Sequence, residues 1–294
     1  MKKKLFCCLS ILLLAIFFSW IYISFIKQTK GFCIKKILSS HQYSPRWDLG
    51  PPSPEQDILL ERVASQTFSF LGSGRECYAF VSEDGELVIK FFKQNHMKPP
   101  SILVHLPLPH EIKMLYLEKI NRRTFYRRRI FSSYLLAYSH LRKETGLLFL
   151  HLNKSKQLKK KLHIKDLSGK IAVLDMDEME FIIQKRAFSI FEHLLALMAQ
   201  NNIDASKAVI TSILDLIEVR GQWGIEDDDT NCARNLGLIE GKAIQIDLGN
   251  FHLALPSQPS RQIFETATHD LQCVLDPFPS LSLFLQNEID RRTL

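Results

Sequence analysis

The apolar residues of the first half of the chain fall in short runs that are separated by glycine-containing turns. Residues 68–70 and 77–81 flank the turn Gly72-Ser73-Gly74, and residues 87–92 form the next run. Short runs rich in Phe, Val and Ile that are bounded by turn residues are typical of β-strands. The same reasoning predicts further strands over residues 146–152, 171–174 and 180–185. The pattern therefore predicts a small antiparallel sheet.

Longer segments with helical spacing follow. Pro109 suits the first turn of a helix, and Ile112, Leu115 and Ile120 continue it at near-helical intervals towards about residue 140. Helices are also predicted over 188–198 and 205–219, a hairpin over 236–246, and one or two short helices between 261 and 289. A sheet lobe that precedes a helical lobe predicts an α+β fold.

The N-terminal residues have a different pattern. Residues 5–26 are 22 consecutive residues without a charge, preceded by Lys2, Lys3 and Lys4. A helix of that length reaches about 33 Å, which matches a hydrocarbon core of about 30 Å. Because the run keeps bulky residues to its end, the sequence predicts an uncleaved single-pass membrane anchor rather than a signal peptide. The lysines on both sides leave the orientation open.

Four segments are predicted from this pattern. Residues 1–26 are the membrane anchor, and residues 27–56 are a proline-containing linker. Residues 57–187 form the lobe that contains the sheet, and residues 188–294 form a reduced helical lobe.

Composition and charge narrow the function classes. A hydrophobic fraction of 46% and a charged fraction of 23% exclude a disordered chain. The net charge of +7 suits an anionic partner such as a nucleotide or a phospholipid surface, or else a solvated basic surface. The 6 cysteines form no CxxC pair and no cluster with histidine, so neither a zinc site nor a disulfide framework is predicted.

Phosphoryl transfer requires a phosphate cradle, a cation, metal ligands and a carboxylate near the attacking hydroxyl. Glycines at Gly72 and Gly74 let the backbone approach a phosphate closely, and Ser73 lies between them. Lys90 lies inside an apolar strand, one hairpin after that turn. A glycine turn that leads by one hairpin to a strand lysine is a more specific signal than either feature alone.

Acidic and amide side chains supply the remaining groups. Glu111 lies in the first turn of the predicted long helix, where the helix dipole alone also favours an acid. Asp227, Asp228 and Asp229 precede Asn235, and Asp247 ends the hairpin before Leu248-Gly249. An aspartate at the end of an apolar strand is costly to bury unless it is paired or binds a metal.

Taken together, these motifs resemble those of the protein-kinase-like superfamily between Phe68 and Phe251. The resemblance implies a two-lobed fold that uses ATP and Mg²⁺. A domain that uses ATP is expected on the cytoplasmic side of the membrane. It implies that Gly72, Ser73, Gly74, Lys90 and Glu111 bind the nucleotide, with Glu111 paired to Lys90, and that Asn235 and Asp247 bind the metal.

The sequence departs from the family pattern at the catalytic loop. Thr230 stands five residues before Asn235, where the family has its aspartate, so Asp229 is the candidate catalytic residue and Asp227 the alternative. No His-Arg precedes either residue, and only 43 residues follow Phe251. The resemblance therefore implies a divergent and minimal member.

Two other functions remain open. A pseudokinase would keep the fold and lose turnover. A membrane-tethered basic module would bind lipid or nucleic acid through the basic residues between Arg122 and Arg129 and between Lys154 and Lys161, although a nucleic-acid partner is not expected, because such runs are usually solvated faces. The acceptor is undetermined between a protein, a lipid and a small molecule.

Overall fold

A computed structural model describes residues 29–97, 106–107 and 109–293. Seven strands form one sheet: β1 (Thr67–Ser73), β2 (Cys77–Val81), β3 (Leu87–Phe92), β4 (Leu147–His151), β5 (Lys161–Lys165), β6 (Ile171–Asp175) and β7 (Phe181–Lys185). Their order is β4-β7-β3-β2-β1-β5-β6, which places β3 near the centre. The α+β class predicted from the sequence agrees with this arrangement.

The predicted sheet was too small, and it was wrong in being antiparallel throughout. Strand β5 lies parallel to β1, with Phe68 opposite Ile164, while the other neighbours are antiparallel. Leu162 and Ile164 alternate with polar residues and are both buried. That alternation is a strand signal, but the lysines around it favoured the interpretation of a solvated basic run.

In the described part of the same half, the α-helices are α1 (Pro54–Ala64), α2 (Gln94–Met97), α3 (His110–His140) and α4 (Arg142–Thr145). Helix α3 is 31 residues long and has Pro109 as its N-cap rather than in its first turn. Helix α1 was not predicted. It begins with a capping box in which Ser53 and Gln56 each satisfy the other's backbone N–H.

The rest of the chain forms the second lobe. Its elements are β8 (Phe188–Ser189), α5 (Ile190–Ala199), α6 (Ile203–Gln222), β9 (Ile225–Asp227), α7 (Cys232–Asn235), β10 (Leu236–Ile239), β11 (Lys242–Gln245), β12 (Phe251–Leu253), α8 (Arg261–Ala267), α9 (His269–Leu275) and α10 (Pro279–Thr293). The predicted hairpin is β10–β11, with Leu236 opposite Gln245. Helices α5, α6 and α8–α10 share one apolar core.

Residues 29–53, which the sequence assigns to a linker, pack on the first lobe. Phe32, Ile37 and Trp47 are buried there. The fully buried Glu180 accepts hydrogen bonds from Ser39 Oγ at 2.5 Å and from Gln94 Nε2 at 2.7 Å. These contacts make the segment part of the lobe, because buried apolar side chains and a satisfied buried carboxylate tie it down.

The prediction of a single-pass membrane protein is corrected. Residues 5–26, on which it depends, lie outside the described residues. Across residues 29–97, 106–107 and 109–293, no helix combines the length and the apolar character that crossing a bilayer requires. The single transmembrane helix of the predicted architecture and the membrane localisation that follows from it are therefore not retained.

Helix α3 holds the turn that follows the hairpin. Ser133 is completely buried, and its hydroxyl donates to the carbonyl oxygen of Leu248. The same hydroxyl accepts a hydrogen bond from the backbone N–H of Phe251 at 2.6 Å. One side chain of the first lobe therefore fixes two backbone groups on either side of Gly249.

We expect Ser133→Ala to lower the free energy of unfolding by about 2 kcal/mol, because it leaves two buried backbone groups without a partner. Urea denaturation followed by circular dichroism measures this loss. Ser132→Ala, on the same helix, is the control and should change stability by less than about 0.5 kcal/mol. Equal effects of the two substitutions would show that the hydrogen bonds of Ser133 do not hold the turn.

Candidate functional site

A cavity of about 360 Å³ lies where the turn between β1 and β2 faces the end of the β10–β11 hairpin. Its lining comes from both lobes and includes residues of the glycine turn, of β3 and of the hairpin: Leu71, Gly72, Ser73, Gly74, Arg75, Glu76, Cys77, Ala79, Val88, Lys90, Tyr134, Gln184, Lys185, Ala187, Arg234, Ile246 and Asp247. Pockets that bind small ligands begin at about 300 Å³.

Lys90 reaches this cavity from the centre of the sheet. Its neighbours Ile89 and Phe91 are fully buried, so the strand has few exposed positions. The ammonium of Lys90 donates a hydrogen bond to the carbonyl oxygen of Ile246. Burial lowers the pKa of Lys90, and the negative charge of Asp247 acts in the opposite direction. The structure thus brings the strand lysine to the acid of the late hairpin.

Asp247 follows β11 at the start of a tight turn. Its Oδ1 accepts a hydrogen bond from the N–H of Gly249 at 3.3 Å. The carbonyl oxygen of Asn235 accepts hydrogen bonds from the N–H groups of Ile246 at 2.7 Å and Asp247 at 3.4 Å. The backbone around the acid is therefore held by Asn235, the residue before β10, and by its own turn.

The glycine turn forms another wall of the cavity. A Cβ added to Gly72 would meet no atom within 4 Å, so its backbone faces open space. The turn is closed by a hydrogen bond from Gly74 N–H to the carbonyl of Cys77 at 3.0 Å. Lys93 donates to Ser73 Oγ at 2.9 Å. Gly72, Ser73 and Gly74 therefore lie together beside Lys90.

Glu111 is not brought to the site, and the expected pairing with Lys90 is absent. Glu111 is exposed near the start of α3 and has no ion pair among the residues that the structure describes. The helix residue that lines the cavity is Tyr134, 23 positions further on, whose hydroxyl lies 3.7 Å from Cys77 Sγ. Burial raises the pKa of Tyr134 well above its usual value, so its hydroxyl keeps its proton.

Asn235 and Asp229 line a separate small cavity of about 20 Å³ rather than the larger one. The side-chain amide of Asn235 donates to the carbonyl oxygen of Asp229 at 2.8 Å and so closes the loop between them. Asp229 is partly buried, and its Oδ1 accepts a hydrogen bond from Asn231 N–H at 3.3 Å. The proposed metal role of Asn235 stays a prediction.

Asp227 is held more firmly than Asp229. Its carboxylate accepts hydrogen bonds from Gln245 Nε2 at 2.7 Å and from the N–H of Asp229 at 3.0 Å, and it lies 3.5 Å from the guanidinium of Arg220. Burial raises its pKa to about 6, and Arg220 opposes that shift. These contacts indicate that Asp227 stabilises the loop between β9 and α7.

Glu76 belongs to the site and was not predicted. It is 6% exposed, and its Oε2 has no hydrogen-bond partner among the described residues. Burial, and then the nearby charge of Asp247, raise the pKa of Glu76 to about 7. A Cβ built on Gly249 would come within 1.7 Å of Glu76 Oε2, so a larger residue there would displace the Glu76 carboxylate.

The cavity also has an apolar part and additional cations that were not predicted. Leu71, Ala79, Val88, Ala187 and Ile246 provide apolar surface. Arg75, Lys185 and Arg234 add three cationic side chains to that of Lys90. A pocket with one apolar side and several cations suits a ligand that combines a flat ring with negative charge.

Within the described residues, no group of three or more His, Cys, Asp or Glu side chains is arranged to hold a metal ion. Magnesium does not need such a cage, because it is commonly held by one or two carboxylates together with phosphates and water. Glu76 and Asp247, which line one cavity, fit this requirement.

Several cations of the basic runs are ion-paired. Arg127 lies 3.5 Å from Glu180, and Arg129 lies 3.8 Å from Asp228. Lys160 pairs with Glu61 at 2.9 Å, and Lys161 pairs with Asp175 at 2.7 Å. Paired cations are less available to an anionic surface, so these contacts do not favour the basic lipid- or nucleic-acid-binding alternative.

Comparisons with known proteins give weak similarities. No protein-family model matches the sequence. No curated protein matches it either.

Among solved structures, the bifunctional kinase-methyltransferase WbdD matches with a TM-score of 0.35 and 15% identity over 74% of this chain and 42% of WbdD. A structure of WbdD with a kinase inhibitor matches with a TM-score of 0.34 and 14% identity over 76% of this chain and 45% of WbdD. Rv3197 of Mycobacterium tuberculosis, in complex with erythromycin, matches with a TM-score of 0.34 and 12% identity over 77% of this chain and 61% of Rv3197.

This chain spans less than two thirds of the length of these matched structures. Matches with such low TM-scores do not support a functional assignment. The relevant observation is the arrangement of this chain's own residues. A glycine turn, a strand lysine and the acid of a late hairpin line one cavity, in the order expected from the motifs. In this arrangement the chain resembles the protein-kinase-like superfamily.

Proposed function

We propose that this chain is a kinase-like phosphotransferase that binds ATP with Mg²⁺ in the 360 Å³ cavity. The observation that carries the proposal is the meeting of Lys90 and Asp247 beneath the glycine turn. Such a site pairs a cation for phosphate oxygens with a carboxylate for the metal. The acceptor remains open between a protein, a lipid and a small molecule.

The lining residues divide naturally between the parts of a nucleotide. The apolar side chains, with Val88 and Ala187 among them, suit the base, and the open backbone of Gly72 suits a phosphate group. Lys90, assisted by Arg75 and Arg234, would contact phosphate oxygens. Asp247 would hold Mg²⁺, which would neutralise part of the negative charge of the phosphates.

Asp229 is the better candidate for orienting the acceptor hydroxyl. The carboxylate of Asp227 already accepts three hydrogen bonds, including one from Arg220, which holds it in the loop. Asp229 is partly exposed and accepts a single hydrogen bond from Asn231. A group that is to bind an acceptor proton must have a free lone pair within reach of solvent or substrate.

A pseudokinase is the second candidate, and one observation favours it. Lys90 lacks the helix glutamate that usually pairs with it, because Glu111 is exposed. The lysine is instead held by a backbone carbonyl and by the field of Asp247. A nucleotide could bind to such a site without being turned over, so binding and turnover must be measured separately.

We expect ATP with Mg²⁺ to stabilise the full chain by about 2.7 kcal/mol when ATP is present at 100 times its dissociation constant. Lys90→Met should abolish this stabilisation, and Asp247→Asn should remove its dependence on Mg²⁺. Thermal unfolding with and without millimolar ATP and Mg²⁺ measures both effects. Lys165→Met, an exposed lysine at the end of β5, is the matched control and should behave as the wild type does. A melting temperature that millimolar ATP leaves unchanged in the wild type would reject the proposal.

Substitutions of the two candidate aspartates should have different effects on the free energy of unfolding and on the rate of ATP turnover. Asp227→Asn should lower the free energy of unfolding by about 3 kcal/mol, because it breaks a buried pair with Arg220. Asp229→Asn should cost less than about 1 kcal/mol and lower the rate of ATP turnover by about 100-fold or more. Urea denaturation and release of ADP provide the two measurements. Full turnover in Asp229→Asn would exclude Asp229 as the base, and ATP binding by a wild type without turnover would favour the pseudokinase.

A further inference from the structure

Glu76 is a buried acid that the proposed function does not use. It lies in the turn between β1 and β2, directly after Gly74-Arg75, and is 6% exposed. Its Oε2 is buried and has no hydrogen-bond partner among the described residues. A buried carboxylate is costly unless it is paired, hydrogen-bonded or bound to a metal. The burial of Glu76 without a partner for Oε2 therefore needs a physical explanation.

The protein groups around Glu76 do not provide its missing partner. Arg75 and Arg129 act on it only through their electric field, since no ion pair within 4.0 Å joins either of them to Glu76 in the described part of the chain. Asp247 acts in the opposite direction, because it is a second negative charge. The surrounding described residues thus leave Oε2 of Glu76 without a hydrogen bond, and Asp247 adds a repulsion between like charges.

Both acids converge on the same glycine. Asp247 Oδ1 accepts a hydrogen bond from Gly249 N–H at 3.3 Å. Glu76 packs so closely on Gly249 that an added Cβ would come within 1.7 Å of Oε2 and 2.5 Å of Oε1. Both acids also line the 360 Å³ cavity. Two carboxylates, one from each lobe, therefore meet beside the turn that ends the hairpin.

We propose that Glu76 and Asp247 together bind a divalent cation, so that Glu76 is the second carboxylate ligand of the site. This proposal rests on the proposed function only for the phosphate oxygens that would complete the coordination. A divalent cation between the two acids converts their repulsion into attraction and gives Glu76 Oε2 its missing partner. It also resolves the conflict of a carboxylate that faces the place proposed for phosphates.

The choice of Glu76 over Asn235 as the partner of Asp247 follows from where the two residues lie. Asn235 does not line the cavity that contains Lys90 and Asp247. Glu76 lines it and has a free oxygen. A hard cation such as Mg²⁺ or Mn²⁺ prefers a carboxylate oxygen to a neutral amide.

Titration of the nucleotide-free full chain with Mn²⁺ tests the proposal. Free Mn²⁺ is followed by electron paramagnetic resonance, a readout that does not depend on turnover. We expect Glu76→Gln and Asp247→Asn each to raise the dissociation constant for Mn²⁺ by about tenfold or more. Glu83→Gln, an exposed acid in the next turn, is the matched control and should bind as the wild type does.

Thermal unfolding gives a second readout. In EDTA, Glu76→Gln should be at least as stable as the wild type, because it removes an unpaired buried charge beside Asp247. Saturating Mn²⁺ should reverse this order, since the ion binds the wild type more tightly and therefore stabilises it more than the variant. Glu76→Asp, which keeps the charge on a shorter side chain, should bind Mn²⁺ with intermediate affinity. If Glu76→Gln does not fold, this variant still gives the comparison.

The outcomes separate this proposal from the proposed function. An unchanged dissociation constant for Mn²⁺ in Glu76→Gln overturns the proposal, even if the wild type binds ATP. Tighter ATP binding by Glu76→Gln in EDTA, with unaltered Mn²⁺ binding, would show instead that Glu76 only blocks the phosphate site. Mn²⁺ binding that requires both acids, in a chain that ATP does not stabilise, supports the cation site and rejects the nucleotide proposal.

Discussion

The ammonium of Lys90 imposes the main physical constraint on the cleft. It extends from a strand whose neighbouring side chains are fully buried, and burial lowers its pKa. A cation in that position needs compensation, which comes from the carbonyl oxygen of Ile246 and from the charge of Asp247. Both groups belong to the hairpin of the second lobe. The sheet lobe therefore depends on the other lobe to stabilise its own central charge, and this dependence fixes where the two lobes meet.

Helix α3 holds the turn around Gly249 against the first lobe. Ser133 binds the backbone at Leu248 and Phe251, on both sides of Gly249, so the turn cannot move without breaking buried hydrogen bonds. The helix is 31 residues long, and at about 1.5 Å per residue Glu111 lies about 35 Å along its axis from Tyr134. A glutamate at one end of such a helix cannot reach a lysine that faces the other end.

The arrangement that the sequence predicted correctly is the one defined by chain order. Lys90 follows the glycine turn by one hairpin, and Asp247 ends a two-stranded segment, so local spacing was enough to predict that the two residues meet at one cavity. Glu111 was misjudged because an acid in a first helical turn is a local signal, whereas the contacts of a helix depend on its length and packing. Glu76 was missed because its importance comes from Gly249, which is 173 positions away in the sequence and meets it only in the folded chain. Hydropathy alone predicted a membrane anchor, which no helix of the described residues supplies.

The balance of charge in the cavity connects these observations. Four cations, Arg75, Lys90, Lys185 and Arg234, line it together with two acids, Glu76 and Asp247. The cations alone would suit any anion, and the acids alone would suit any cation, but neither explains why both sets face the same 360 Å³. A ligand that carries negative phosphates together with a positive metal ion satisfies both sets at once. This requirement, rather than a likeness to other structures, is the strongest physical reason to regard the cavity as a site for a metal-bound nucleotide.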